Sequence, residues 1–504
     1  MRRILAVIVP ALLFLALAAW GLSSPVGSSP DDDFHLPSIY CGLGERESLC
    51  EPTGDPATKL VPASIVGEPC YSRDPSASAA CWGDREGLAE TDRVNTGPLY
   101  PPLFYGTMSV FAGPDVEVSV IAMRLFNAAL AVGMLTAVFF ASPPRIRPAI
   151  VIAALASAVP LGLFILPSTN ASSWAFISAA TVWAALYGAT QTTGRQRIVL
   201  SALAVLGGII GAGARADAAA FAVFSVVVAA ILGARRTRDM WIPAAAGMLI
   251  VIASALFYLG AGQGGSVTGG LPTTEAPLTD DQMISNALDV PSLWVGVFGG
   301  WGLGWLDTPL PDTVWVFGFA VFAALLFVGA RALSWRRGAA LAAVFAALWV
   351  VPFVLLQQSD AIVGTYVQPR YILPLVVIIA GIAALQTRRS DWWASIWSVL
   401  GGAALAVSAA IALHVNIRRY TTGLDDLALN PGARAEWWWS VGPAPLAVWL
   451  LGTLAFAAVF PLLEYARRTA APLPDTASVQ KSPNDPGVDS PRLRSGSADR
   501  SANS

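Results

Sequence analysis

Long apolar runs that recur along the chain constrain its fold more than any other feature. A helix needs about 20 apolar residues to cross the hydrocarbon core of a bilayer. Charged residues are only 13% of the sequence and hydrophobic residues are 55%, which excludes an ordinary soluble domain. The sequence therefore predicts an all-α integral membrane protein. About twelve transmembrane helices are expected, near residues 4–22, 116–140, 148–166, 171–190, 198–213, 216–233, 241–260, 312–330, 339–356, 371–386, 394–415 and 444–463.

Polar segments between these runs define the domain organisation. The expected regions are a first transmembrane helix (1–22), a large extracytoplasmic loop (23–115), helices 2–7 (116–260), a second extracytoplasmic loop (261–311), helices 8–12 (312–464) and a cytoplasmic tail (465–504). The tail is rich in Ser, Pro, Asp and Arg, which predicts disorder. The first helix could be a signal peptide, but we interpret it as a retained anchor because cleavage would release the acidic segment that follows it.

The distribution of arginines predicts the orientation in the membrane. Arginine pairs and triplets fall in alternate loops, and short cytoplasmic loops carry an excess of basic residues. This pattern places both termini in the cytoplasm and the protein in the plasma (inner) membrane. The net charge of -2 indicates no basic surface for nucleic acid. The arginines that carry the pattern are Arg2/Arg3, Arg145/Arg147, Arg195/Arg197, Arg235/Arg236/Arg238, Arg331/Arg336/Arg337, Arg388/Arg389 and Arg467/Arg468.

All four cysteines lie in the first extracytoplasmic loop, at Cys41, Cys50, Cys70 and Cys81. An even number of cysteines confined to one exported loop is typical of disulfides. Three pairings are possible, and the local pairs Cys41–Cys50 and Cys70–Cys81 are the ones we favour. A zinc site is the alternative, but no CxxC spacing is present and an oxidising compartment disfavours it.

A dense acidic segment follows the first apolar run. Asp31, Asp32 and Asp33 are adjacent, and His35 is one of only two histidines. Adjacent carboxylates repel one another, so one of them should have a raised pKa unless a cation joins them. Such a carboxylate can act as a general base or bind a metal. A solvated acidic cap at the outer end of a helix is the alternative that these residues alone leave open.

Several arginines and aromatic residues are predicted on the same face. Arg124, Arg215 and Arg370 lie near outer helix ends, where an arginine is costly unless it is paired or faces a polar cavity. Arginine suits phosphate binding, whereas an internal pair of Arg215 with Asp217, or snorkelling to headgroups, is the structural alternative. Trp305 and Asp307 could bind a sugar, although an aromatic belt also explains tryptophans at the interface.

Five short motifs occur in the order found in one known family. They are a P-D-E-x-x-H type motif at 30–35 (with Asp32 for Glu), Pro-Pro plus aromatics at 101–105, Arg124-Leu125, G-W-x-D at 304–307, and Q-G-R-Y-x-x-P at 368–374 (with Pro369 for Gly). Over most of residues 1–465 the chain resembles an uncharacterised family of predicted multi-pass membrane proteins, a domain of unknown function. That family is common in actinobacteria and related to the GT-C glycosyltransferases.

The resemblance implies a GT-C-like inverting glycosyltransferase that works outside the cytoplasm. It would transfer a sugar from a polyprenyl-phosphate donor to a glycan or lipid acceptor of the cell envelope. Asp31 or Asp32 would be the base, with His35 beside them, and a divalent cation (Mg²⁺ or Mn²⁺) at the two aspartates is compatible but not required. The implied substrate-binding residues are Arg370, Tyr371, Arg215, Arg124, Trp305 and Asp307.

Two other functions remain open at this point. The same arginines could line a phosphate path in a transporter or flippase of a lipid-linked envelope precursor. A non-catalytic envelope-assembly protein would instead use its disulfide-bearing loop to bind other proteins. A pump driven by cytoplasmic ATP is not expected, because no GxxxxGK[ST] pattern is present.

Overall fold

The structure is a computed structural model that describes residues 2–83, 85–271, 276–385, 396–426 and 428–469. Within these ranges the chain is mostly helical. The helices are α1 (Arg2–Leu22), α2 (Asp32–Tyr40), α3 (Pro102–Ser109), α4 (Val116–Ala141), α5 (Arg147–Ala158), α6 (Leu161–Ile165), α7 (Ser172–Thr190), α8 (Gly194–Ala212), α9 (Ala216–Gly233), α10 (Trp241–Leu259), α11 (Gln263–Gly269), α12 (Asp280–Val297), α13 (Asp312–Gly329), α14 (Trp335–Gln358), α15 (Leu373–Ala384), α16 (Ile396–Thr421) and α17 (Pro445–Arg468).

Within the described residues each predicted apolar run overlaps a helix, while residue 386 and residues 394–395 of two runs lie outside the described residues. Nine helices in the described part of the chain are long and apolar enough to cross a membrane. Among the others, α5 and α15 have 12 residues each. The run predicted at 148–166 is divided, because Pro160 has no backbone N–H to continue a helix. At the other end of the chain α17 continues to Arg468, into the predicted tail, and residues 470–504 lie outside the described residues.

The long segments between helices gather at one end of the bundle. The backbone N–H of Gly262 donates to the carbonyl of Pro98 at 2.7 Å, which joins the two predicted outer loops. Ser440 donates to Glu117 at 2.6 Å, and the Asn170 amide donates to the Pro30 carbonyl at 2.7 Å. We call this the loop end of the bundle. It contains the C-terminus of α1 and the N-termini of α4, α7, α9, α13 and α15.

Arginine-bearing turns meet at the opposite end. Arg336 donates to the carbonyl of Ala234 at 2.7 Å, and Arg337 donates to the carbonyl of Ala383 at 3.0 Å. Arg147 donates to the Ser142 carbonyl at 3.0 Å, so these guanidinium groups also satisfy carbonyls at helix ends. The separation of arginine turns from long loops, predicted from the alternation of basic residues, is therefore found in the described part of the fold. The predicted turn with Arg388 and Arg389 lies outside the described residues.

The first loop is an ordered layer rather than a flexible connection. It holds α2, α3 and a small antiparallel sheet of β1 (Glu51–Pro52), β2 (Lys59–Pro62) and β3 (Leu88–Thr91), in the order β1-β2-β3. Register pairs Glu51 with Leu60 and Lys59 with Thr91. Disulfides join Cys41 to Cys50 and Cys70 to Cys81, so the predicted pairing is confirmed.

The second loop also contains helices. α12 begins with a capping box in which the Thr279 side chain accepts from the Gln282 backbone and the Gln282 side chain accepts in return. Its C-terminal turn approaches the segment before α15 very closely. A Cβ on Gly296 would lie 2.4 Å from the ring of Pro369, so only glycine fits here without displacing that segment.

Candidate functional site

Asp31 occupies an unusual backbone position at the start of α2. Its φ of 61° lies in the left-handed region, which aspartate tolerates better than most residues other than glycine. The carbonyl of Asp31 accepts from the His35 backbone at 2.9 Å, so the residue still begins the helix. Such conformations are found at functional sites more often than elsewhere. This geometry turns the Asp31 side chain away from the helix that carries Asp32 and Asp33.

Asp31 and Arg370 form an ion pair at the loop end. Nη2 of Arg370 lies 2.5 Å from Oδ2 of Asp31, with side-chain exposures of 2% for Arg370 and 38% for Asp31. Burial raises the pKa of Asp31, but Arg370 and neighbouring positive groups outweigh it and hold the pKa below its usual value. Asp31 is therefore ionised and can be reached from the surface, whereas its partner is buried.

The guanidinium of Arg370 is held from several sides. Gln368 accepts a hydrogen bond from Nη1, and the ring of Tyr371 lies 4.9 Å from the guanidinium carbon. Nε of Arg370 is buried and has no hydrogen-bond partner among the described residues. A buried donor without an acceptor is unfavourable, so the site has capacity for one more acceptor oxygen.

A second buried arginine adjoins this pair. Arg215 donates to both carboxylate oxygens of Asp217 at 2.8 Å, and its guanidinium carbon lies 5.5 Å from the Tyr371 ring and 5.7 Å from the Tyr100 ring. The internal pair considered above is therefore present. The shared contact with Tyr371 nevertheless brings Arg215 into the same cluster as Arg370.

Asp32 points in a different direction from Asp31. Its carboxylate is fully buried and accepts from the Thr169 hydroxyl at 2.9 and 3.1 Å and from the Ser29 backbone at 3.1 Å. Burial raises the pKa of Asp32 to about 7, and the hydrogen bonds offset only part of that cost. Both oxygens of Asp32 accept hydrogen bonds from within the protein, so we interpret Asp32 as a residue that positions the start of α2.

His35 is buried among aromatic rings. Its Nδ1 lies 2.8 Å from the Tyr105 hydroxyl, and its ring centroid is 5.6 Å from that of Tyr100. Burial lowers the pKa of His35 to about 3, so the ring is neutral at physiological pH. Its Nε2 has no partner in the described part of the chain. His35 therefore acts as a neutral group beside Asp31 and not as a cation.

Arg124 and Trp305 support the backbone that leads to Asp31. Arg124 donates to the carbonyls of Gly21, Ser24 and Pro25 at 2.9, 2.5 and 2.7 Å. These bonds occupy both terminal nitrogens, which leaves Arg124 a structural role. Trp305 donates from Nε1 to the Gly27 carbonyl at 2.9 Å, further along the same segment.

Asp307 is paired with an arginine that sequence reasoning overlooked. Nη2 of Arg419 lies 3.0 Å from Oδ2 of Asp307, and both side chains are almost fully buried. The same oxygen accepts from the backbone of Arg73 at 2.9 Å, so this pair fastens the first loop to the helices. The structure thus brings Asp31 and Arg370 together but engages the Asp307 carboxylate elsewhere.

One cleft connects several predicted elements. Pro30, Gln368 and Arg370 line it together with Leu161 and Phe164. A further wall is formed by Gly302, Leu303, Gly304 and Leu306. We call it the Arg370 cleft. Apolar side chains and a buried guanidinium, a group suited to binding anions, therefore meet in this cleft.

The aspartates do not form a metal-ligand pair as arranged. Asp31 faces Arg370 while Asp32 faces Thr169, and Asp33 accepts from Arg93 at 2.8 Å. Among the described residues no group of three or more His, Cys, Asp or Glu side chains could hold a metal ion. The Asp31 and Asp32 carboxylates thus have separate partners, and a divalent cation at these two residues stays a prediction.

Sequence reasoning missed Arg93, Thr169 and Arg419. Arg419 carried a usable signal, since Arg418 and Arg419 end α16 at the loop end, against the trend that places basic residues at the opposite end. Thr169 carried none, because a hydroxyl in a six-residue turn between α6 and α7 has no distinguishing pattern.

Comparison with protein families gives one informative result. The family model described as "Predicted membrane protein (DUF2142)" matches residues 14–379, which include the acidic segment, the first loop and Arg370. No curated protein and no solved structure matches the chain.

Proposed function

The chain belongs to the DUF2142 family of predicted membrane proteins, and we propose that it is a glycosyltransferase that uses a polyprenyl-phosphate sugar at the Arg370 cleft. The single observation that carries this proposal is the ion pair between surface-accessible Asp31 and buried Arg370. This pair supports the proposal because a carboxylate that can serve as a base lies next to a guanidinium that can bind phosphate, and apolar side chains line the cleft beside them.

The reaction requires two tasks at adjacent positions. The carboxylate of Asp31 takes the proton of an acceptor hydroxyl, and the acceptor oxygen forms a bond to the anomeric carbon. The bond between that carbon and the phosphate oxygen breaks, and its electron pair leaves with the lipid phosphate. Attack opposite the leaving group inverts the anomeric centre. A positioned base contributes roughly 10²–10⁴-fold to the rate.

The ion pair explains how the base is kept inactive until the donor binds. While Arg370 contacts Asp31, the pKa of the carboxyl is low and the group is a weak base. A donor phosphate competes for Arg370 and also meets its unpartnered Nε. As the guanidinium turns to phosphate, the pKa of Asp31 rises and the carboxylate becomes able to accept a proton.

The buried groups around the pair orient it. Tyr371 contacts both Arg370 and Arg215, so it fixes the two guanidinium planes. Asp32 holds the start of α2 through Ser29 and Thr169. Arg124 and Trp305 hold the preceding segment. These contacts support preorganisation of Asp31, and no metal step is needed in the reaction as written.

The distribution of polar groups also bears on orientation and on the alternative functions. Basic residues gather at the arginine end of the bundle. This distribution supports a plasma-membrane protein whose loop end faces outward and whose two termini lie in the cytoplasm. The acceptor would then be a glycan or lipid of the envelope. A transporter or flippase needs polar groups accessible from both ends, whereas Asp31, Arg370 and Arg215 lie at one end, which favours an enzyme.

Envelope analysis of a complemented deletion strain tests the proposal. Wild type should restore any glycan or glycolipid lost on deletion, while Asp31→Asn and Arg370→Ala should not, and Asp32→Asn should restore it in part. Asp92→Asn, at an exposed carboxylate of the same loop, is the matched control. Full restoration by Asp31→Asn and Arg370→Ala at equal protein levels would exclude the catalytic roles.

A further inference from the structure

A second cleft lies in the first loop, mainly among residues between the family motifs at 30–35 and 101–105. Asp33 and Leu36 of α2 form one side, and Gly67, Glu68 and Trp82 of the loop form the other. We call it the Trp82 cleft. The disulfide between Cys70 and Cys81 ties its walls together, because Cys70 lines the cleft and Cys81 precedes Trp82.

Asp33 presents an unused acceptor in this cleft. Its Oδ2 accepts from Nε of Arg93 at 2.8 Å, while Oδ1 is buried and has no hydrogen-bond partner in the part of the chain that the structure describes. The residue is only 6% exposed. An ionised carboxylate oxygen can accept two or more hydrogen bonds, and leaving it without a donor is unfavourable. Oδ1 therefore identifies a place for a donor from outside the chain.

The donor that fits is a neutral group rather than a cation. Both oxygens of Asp32 already accept from Thr169, and Glu68 is paired with Arg73 at 2.7 Å. Asp33 is itself neutralised by Arg93. Asp33 and Glu68 are each paired with an arginine, and Arg85 also lines the cleft, so its charge does not favour a metal ion. A hydroxyl group satisfies Oδ1 without adding charge.

Trp82 adds an aromatic surface of fixed orientation. Its Nε1 donates to the carbonyl of Ser64 at 2.9 Å, which holds the indole against the loop. The side chain is half-buried, so part of the ring still faces outward. An aromatic face beside a hydroxyl acceptor matches a molecule with both C–H and O–H groups on its surface.

We propose that the Trp82 cleft binds a saccharide, with a sugar hydroxyl donating to Oδ1 of Asp33 and a ring face packed on Trp82. This inference rests on the proposed function, since it identifies the site as the one that holds the acceptor glycan. Asp33 is two residues from Asp31, so this site and the proposed base both lie at the start of α2. The disulfide-bearing loop thereby acquires a function in acceptor recognition.

Photoaffinity capture tests the assignment. The full-length chain in lipid nanodiscs is exposed to diazirine-bearing octyl glycosides of glucose, galactose, mannose and arabinose, and the labelled peptides are mapped by mass spectrometry. At least one probe should label residues 64–69, Trp82 or Arg85, and an excess of the matching methyl glycoside should remove the label. Asp33→Asn should reduce this labelling about tenfold, as expected for loss of one hydrogen bond to a charged group. Trp82→Ala should also reduce it, because the ring face that packs on the sugar is removed.

Controls separate binding from folding and from catalysis. Asp92→Asn, at an exposed carboxylate, should label as wild type does, and Trp82→Phe should retain part of the labelling. Arg370→Ala should leave labelling of the Trp82 cleft unchanged. Labelling unaffected by Asp33→Asn and Trp82→Phe, labelling elsewhere only, or no labelling by any of the four glycosides would overturn the proposal.

The two proposals can fail separately. Specific labelling of the Trp82 cleft, combined with full envelope restoration by Asp31→Asn and Arg370→Ala, would leave a saccharide-binding protein without the catalytic function. Loss of envelope glycan in those variants, combined with no labelling, would leave the enzyme and exclude this acceptor site.

Discussion

Nη2 of Arg370 lies 2.5 Å from Oδ2 of Asp31, although the two residues are separated by 339 positions in sequence. One partner begins α2 in the first loop and the other precedes α15, so this contact joins two distant elements of the loop end. The carboxylate is partly exposed and the guanidinium is buried. In the proposed function, an incoming donor phosphate would replace Asp31 as the partner of Arg370, and this exchange would activate the Asp31 carboxylate as a base.

Stability should depend on pH through Asp32. Burial raises its pKa to about 7 in the folded protein, against about 3.9 in an unfolded chain. Between these values unfolding releases a proton, so the free energy of unfolding falls as pH rises from about 4 to about 7. The amide of Asp32→Asn does not titrate, so this variant should not lose unfolding free energy over that pH range. The loss in wild type is roughly 2–4 kcal/mol above pH 7.

Thermal unfolding of wild type and Asp32→Asn in detergent at pH 5 and pH 8 measures this effect, with Asp92→Asn as the control. Asp32→Asn should gain in midpoint relative to wild type on going from pH 5 to pH 8, and Asp92→Asn should not. The lowered pKa of His35 acts in the opposite direction below about pH 6.5, but it is common to both proteins and cancels. A difference in midpoint that is the same at both pH values would show that Asp32 does not titrate as described.

Arg124 should be needed for folding rather than for phosphate binding. Its guanidinium satisfies three carbonyls after α1 and the Ser28 hydroxyl at 3.1 Å. Arg124→Gln leaves several of these groups buried without a donor, at about 1–3 kcal/mol each. A lower yield and a lower unfolding midpoint are expected. Arg85→Gln, at an exposed arginine of the first loop, should change neither, and equal behaviour of the two variants would contradict the assignment.

Gly296 should control the position of Arg370 without contacting ligand. Gly296→Ala places a Cβ against the Pro369 ring at 2.4 Å, so the turn that carries Arg370 must shift. A displacement of the guanidinium should weaken binding of a prenyl phosphate by about tenfold. The matched control is Gly265→Ala, where an added Cβ meets nothing within 4 Å. Unchanged binding in Gly296→Ala would show that the turn adjusts without moving Arg370.

Membrane orientation can be measured with single introduced cysteines. The native cysteines are in disulfides and should not react with a maleimide in the absence of reductant. Asp281→Cys at the loop end should react with an impermeant maleimide in intact cells, and Arg236→Cys at the arginine end should react only after permeabilisation. The reverse pattern would invert the proposed topology, and the site would then face the cytoplasm.

Much of the fold could be predicted because it follows local periodicity. Apolar runs gave the helices, and the alternation of arginines gave the two ends of the bundle. Confinement of the cysteines to one loop favoured local pairing, and Cys41–Cys50 and Cys70–Cys81 are both present. These predictions succeeded because each depends on residues that are close in sequence or on the solvent that a segment meets.

Contacts between segments that are distant in sequence were harder to predict. The pairing of Asp307 with Arg419 spans 112 positions, and nothing in the local sequence distinguishes it from a ligand site. Asp31 and Asp32 look equivalent in sequence, yet the left-handed backbone at Asp31 sends one carboxylate to Arg370 and leaves the other beside Thr169. The backbone conformation therefore determines what each carboxylate of the acidic segment contacts, and this conformation cannot be read from the residue types.

Binding of a short prenyl phosphate tests the exchange at Arg370 most directly. Farnesyl phosphate is titrated into nanodiscs holding wild type, Arg370→Ala or Asp31→Asn, and the dissociation constant is measured by native mass spectrometry. Arg370→Ala should bind about 10–100-fold more weakly, as expected for loss of a charge-assisted hydrogen bond. Asp31→Asn should bind at least as tightly as wild type, because the carboxylate that competes for the guanidinium is gone. Equal weakening in both variants, or no change in Arg370→Ala, would contradict the account.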